Sequence, residues 1–141
     1  MRRFLLPGLL LSVLGCVAPA ERVSLQPLPE NGQVLPYDDL LKRVRHQAIA
    51  ATEAFYLNNW GDLEDMAKGI DQTARFLAKA QEVPAKNKDI LTEVTGDLSK
   101  SAKKLKEAAA AKNEKDTRDA LQEINFKVRL LTTKIGDQPK E

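Results

Sequence analysis

The chain has 141 residues, 43% of them apolar and 30% charged, with a formal net charge of +2 and a single cysteine. That length holds about one domain, and the aromatic and β-branched residues are too few for a large sheet. Without Arg2 and Arg3 the basic side chains fall to 20, equal to the 20 acidic ones, which leaves no strong field for neutralising phosphates and no expectation of a nucleic-acid partner.

The N-terminus opens with Met1-Arg2-Arg3, a positive start, followed by an apolar stretch from Phe4 to Leu14. The stretch has signal-peptide length, is too short to span a bilayer comfortably, and is interrupted by Pro7 and Gly8. Val13-Leu14-Gly15-Cys16 follows: aliphatic, variable, small, then the only cysteine of the chain. This segment resembles the bacterial lipobox. The resemblance implies cleavage before Cys16, diacylglyceryl attachment to its sulfur and acylation of the new amine, with residues 1–15 as the signal peptide. Leu14 departs from the Ala or Ser more usual at its position. The alternative is an ordinary secretory signal cleaved near Ala18 or Ala20. A lone thiol in an exported chain needs an explanation, and lipidation supplies one. Acyl chains contribute about 0.8 kcal/mol per buried CH2, so several of them would fix the chain to a membrane. The expected location is the cell envelope, with the domain facing the periplasm or the exterior.

Residues 16–36 read as the lipidated cysteine and a tether. Pro19, Pro27, Pro29 and Pro36, with the turn signal Asn31-Gly32, remove backbone donors and favour extended chain over helix or sheet. A spacer of this kind reaches on the order of 60 Å at about 3.1 Å per residue.

Residues 37–136 carry four apolar stripes in three- and four-residue steps. They are Leu41, Val44, Ala48, Ala51 and Phe55; Leu63, Ala67, Ile70, Ala74 and Leu77; Leu91, Val94, Leu98, Ser101, Leu105 and Ala108; and Leu121, Ile124, Val128, Leu131 and Ile135. Each set lies on one helix face. Asp38 or Asp39 is expected to cap the first helix, and Asn58 to Asp62 to end it and cap the second. Pro84 marks a helix start, and Asn113 separates the third helix from a fourth whose Glu114 and Asp116 suit its positive end. Short connections favour antiparallel neighbours, so the expected fold is all-α, an up-down-up-down four-helix bundle. Residues 137–141 form a polar tail.

Over residues 38–135 the domain resembles the cytochrome c-prime family in length, helix order and general pattern; members have an Arg-rich start to the first helix and an Ala-Leu-type approach in the last, where this chain has Ala120-Leu121. Members carry covalent haem through C-x-x-C-H on the last helix. If Val128, Leu131 and Thr132 occupy those three positions here, every attachment residue is missing, and the sole cysteine lies in the anchor region. Thioether attachment is therefore excluded by composition, and the resemblance implies a haem-less relative.

Candidate chemistry is sparse. His46 is the only histidine and sits between Val44 and Ala48 on the outward side of the first stripe. A lone histidine makes no His-rich metal site, and haem ligation by His46 with Met66 would need a different helix rotation. Glu64, Asp65, Asp116 and Asp119 lack the Glu-x-x-His pattern of di-iron bundles and suit lysine pairing on helix exteriors. The run Lys100, Lys103, Lys104 and Lys106 reads as a solvated face. No catalytic residue, cofactor or metal site is expected. Ile49, Tyr56, Leu57, Phe126 and Leu130 fall beside or off the stripes, either as a wide buried face with scattered exposed hydrophobes or as a candidate interaction surface for a second copy or a protein partner. Phe76 is also off-stripe, and Trp60 is expected to plug the bundle end. The functional expectation is a non-enzymatic, membrane-anchored lipoprotein whose bundle is an interaction or structural module. The alternative is a bundle that binds haem or another small ligand non-covalently.

Overall fold

A computed structural model describes residues 27–29 and 35–132. Among these residues the chain forms α1 (Tyr37–Tyr56), α2 (Trp60–Leu77), α3 (Ala85–Ala110) and α4 (Glu114–Thr132), with no strand. The fold is an all-α four-helix bundle. α1 packs on α2, α2 on α3, α3 on α4, and α4 returns to α1. Asp97 pairs with Lys127 and Ser101 with Glu123, so α3 and α4 run in opposite directions. Cys16, Ile135 and the tail 137–141 lie outside the described residues.

The stripes of α2 and α3 are buried at every position, as is the described part of the α4 stripe. α1 is rotated slightly from expectation. Its buried face runs Leu40, Arg43, Val44, Gln47, Ala48, Ala51 and Ala54, while Leu41 and Phe55 are half-buried. The reason is polar: Gln47 turns inward and accepts a 2.9 Å hydrogen bond from Thr73 Oγ1. Its amide is thereby satisfied inside the core. Each fully buried Leu or Ile contributes about 1.5–3 kcal/mol of transfer free energy, and Leu40, Leu63, Ile70, Leu77, Leu98, Leu105, Ile124 and Leu131 are all in this state.

Helix starts follow two rules. Pro84 begins α3 as expected. α1, however, starts behind Pro36 rather than at an aspartate cap: Pro36 O accepts from the Asp39 and Leu40 amides, and Asp38 and Asp39 lie within the first turn. There the two carboxylates still favour the positive end of the helix. α2 and α4 start on Asn59 and Asn113, whose Oδ1 atoms accept from the amides of Asp62 and Asp116. In return each asparagine's Nδ2 donates to the same aspartate's side chain.

These two starts belong to one repeated plan. In the first turn the amides of Leu57, Asn58, Asn59 and Leu63 donate to the carbonyls of Glu53, Phe55, Ala54 and Asn59; in the second, Ala111, Lys112, Asn113 and Thr117 donate to Glu107, Ala109, Ala108 and Asn113. Every number in the second set is the first plus 54. Asn58 and Lys112 take the same left-handed conformation, φ 53° and 52°. The core keeps the offset: Val44 and Leu98, Ala48 and Ala102, Ile70 and Ile124, and Leu77 and Leu131 are all buried. The bundle is thus two helical hairpins of one design.

Candidate functional site

The base of the bundle is locked by a small polar junction. Asn87 Nδ2 on α3 donates to Tyr37 Oη on α1 at 2.8 Å and to Leu131 O on α4 at 3.1 Å. The Leu131 carbonyl lies in the last turn of α4, where helix carbonyls have no intrahelical partner. Burial pushes the Tyr37 hydroxyl above its ordinary pKa, with the Asn87 bond opposing and Asp38 reinforcing that shift. Burial also lowers the pKa of Arg43, which is 6% exposed. These groups join helices and do not face a common cavity.

Of the outer carboxylates, Asp116 and Asp119 line an open surface pocket between α3 and α4 with Lys104, Glu107, Asn113 and Glu123. Asp65 pairs with Lys68 at 2.9 Å and Asp119 with Lys115 at 3.0 Å; each raises its lysine's pKa by hydrogen bonding and charge. Asp116 serves the α4 start. Asp97 and Lys127 meet at 2.7 Å, and the ammonium holds the Asp97 carboxyl below its usual range. Among the described residues no group of three His, Cys, Asp or Glu side chains is placed to hold a metal ion. Lys100, Lys103, Lys104 and Lys106 are exposed, with Lys100 paired to Asp97 and Lys104 to Glu123.

His46 lies on the exposed side of α1, and Met66 is half-buried on α2. The inward position beside His46 belongs to Gln47, and the seam it faces is filled by Leu, Ile, Val and Ala side chains. This arrangement does not fit haem held between His46 and Met66.

Two features remain. One is a contact the sequence did not announce. Leu28 N–H donates to Gln72 Oε1 at 2.8 Å, and Gln72 Nε2 donates to Leu28 O at 2.8 Å. The single amide side chain satisfies both polar groups of one extended residue. Pro27 and Pro29 carry no N–H, so Leu28 supplies the only donor of the tripeptide. Leu28 is half-buried against the core. This part of the expected spacer is therefore pinned to α2. The signal in sequence was the aliphatic residue between two prolines; its partner Gln72, more than forty positions away, had no signal.

The other feature is exposed apolar surface. Ile49 is 53% exposed, Tyr56 77%, Leu57 78% and Phe126 47%. Leu130 and Phe76 pack partly against the core. Phe126 lies 5.7 Å from the Arg129 guanidinium and 6.0 Å from the Lys127 ammonium. Tyr56 and Leu57 end α1, where Phe55 touches both Tyr56 and Trp60; the Trp60 ring stands edge-on to Phe55 at 6.1 Å. Trp60 is half-buried, sealing that end with one side in solvent.

Among the described residues no helix is long and apolar enough to cross a membrane. The fold and surface define a four-helix domain with exposed apolar side chains. No protein-family profile, curated protein or solved structure matches the chain.

Proposed function

We propose that the protein is a membrane-anchored lipoprotein of the cell envelope whose helical bundle serves as a non-enzymatic interaction or structural module. The observation that carries this reading is the sequence Val13-Leu14-Gly15-Cys16, with the chain's only cysteine at the end of an apolar stretch and a bundle beginning at Tyr37. Its interaction role draws support from Ile49, Tyr56, Leu57 and Phe126, four large apolar side chains left in solvent by a chain that fills its core with Ala and Leu. Homodimerisation or binding of a protein partner would cover part of this surface.

The test is membrane fractionation of a bacterial host expressing the full chain. Wild type partitions with membranes, and Cys16→Ser releases the protein to the soluble fraction. Equal partitioning of the two forms refutes lipid anchoring. The second reading, a haem or small-ligand bundle related to the c-prime cytochromes, has no observation in its favour: His46 points outward and aliphatic side chains fill the seam.

A further inference from the structure

The two hairpin turns share one backbone plan and differ sharply in what they display. Ala54 to Gly61 reads Ala-Phe-Tyr-Leu-Asn-Asn-Trp-Gly, eight residues without a charge in a chain that is 30% charged. The matching stretch, Ala108 to Lys115, carries Lys112, Glu114 and Lys115, with Ala110 and Ala111 where the first turn has Tyr56 and Leu57. The fold is thus built in the second hairpin without large apolar side chains at these positions. Tyr56 and Leu57 are 77% and 78% exposed, so neither supports the core of its own hairpin. An aliphatic residue flanked by Tyr and Trp, whose apolar rings carry polar tips, is suited to the headgroup level of a bilayer.

The docked tether supplies reach. Tyr37 and Leu131 meet at the base of the bundle, and the α1–α2 turn lies at the opposite end. Leu28 is held beside Gln72, between the two ends. Pro27 shares a surface groove on α2 with residues from Asp65 to Arg75, on both sides of Gln72. Twelve helical positions separate Gln72 from Trp60, about 18 Å at 1.5 Å per residue. Ten residues lie between Cys16 and Pro27, a length of chain that at roughly 3.1 Å per residue exceeds that distance.

We propose that the α1–α2 turn is a membrane-contact surface, with Tyr56, Leu57 and Trp60 seated at the interface of a neutral bilayer. The proposal rests on the lipoprotein reading for the anchor and adds an orientation: the uncharged turn faces the membrane and the Tyr37 end faces away.

Trp60 is the only tryptophan, so its fluorescence reports this turn alone. The full chain, produced with its signal in a bacterial host, is reconstituted into phosphatidylcholine vesicles with or without bromine on the acyl chains. Brominated lipid is expected to quench Trp60, as for an indole at headgroup depth. Replacing both Tyr56 and Leu57 with Ala, the residues of the second hairpin, should remove most of that quenching. Vesicle-bound protein with unquenched Trp60 overturns the proposal while leaving the anchor intact, and points to a protein partner or solvent at the turn. Quenching that persists in Cys16→Ser upholds the contact and shows that the turn seats without the anchor. A chain that does not float with vesicles overturns both.

Discussion

Gln47 on α1 and Gly69 on α2 lie so close that a β-carbon added at Gly69 would stand 2.9 Å from Gln47 Nε2. The same glutamine accepts the Thr73 hydroxyl and is 1% exposed, so it has little room to retreat. Gly69 is therefore a packing glycine in the middle of a helix.

Gly69→Ala sets two effects against each other. Replacing an interior glycine should stabilise α2 by about 1 kcal/mol. Displacing a buried, hydrogen-bonded amide costs about 1–3 kcal/mol. The expected net is a loss of roughly 1 kcal/mol in urea unfolding, and the sign should reverse in a Gln47→Ala background. Additive effects of the two substitutions would show that the contact does not govern Gly69.

Thr117 is the second hairpin's counterpart of Leu63. It is 0% exposed, and its hydroxyl has no hydrogen-bond partner among the described residues. Thr117→Val keeps the shape and removes the unsatisfied group, so it should raise stability by about 1 kcal/mol. A decrease in the unfolding midpoint would mean that the hydroxyl is bonded in solution.

Asp97 links α3 to α4 through Lys127. Its pKa is lowered in the folded state, by the hydrogen bond from Lys127 first and the charge of Lys127 second. A carboxyl depressed in this way stabilises the fold above its unfolded pKa, about 3.9, and loses that contribution as pH falls through the folded value. Asp97→Asn should therefore melt below wild type at pH 7, and the gap should close in acid. A gap that stays constant down to pH 2 would assign the loss to packing instead.

The Gln72 clamp is addressable through one amide. Gln72→Leu keeps the side-chain bulk and cannot bond Leu28. Hydrogen exchange at the Leu28 N–H should then accelerate about ten-fold for each 1.4 kcal/mol lost from the contact. Exchange at helix-core amides such as that of Leu98 should be unchanged. Retained protection at Leu28 would show that apolar packing alone holds the segment.

The sequence made the helices legible because three of the four seams are apolar at regular spacing. On α1 the pattern was blurred, since the inward position is Gln47, a residue that a hydrophobic stripe cannot include. Its reason for facing inward, Thr73, lies on another helix. The turn chemistry of Asn59 and Asn113 was readable from local sequence, whereas Pro36 displaced the expected aspartate cap on α1. The repeat at an offset of 54 is carried by hydrogen bonds and burial more than by residue identity. Ala54 pairs with Ala108 and Ile70 with Ile124, yet Trp60 pairs with Glu114 and Leu63 with Thr117. Those mismatches hide the repeat and also mark where the first turn departs toward apolar display. Tyr56 and Leu57 were readable as off-stripe hydrophobes. Their position at one end of the bundle required the packing of all four helices.

The proposed anchor at Cys16 is tested most directly by the mass of the N-terminal peptide from the membrane-extracted protein. Lipidation gives a chain beginning at Cys16, with a diacylglyceryl group on Sγ and an added acyl group on the new amine. An unmodified Cys16, or a chain beginning near Ala18 or Ala20, would contradict it.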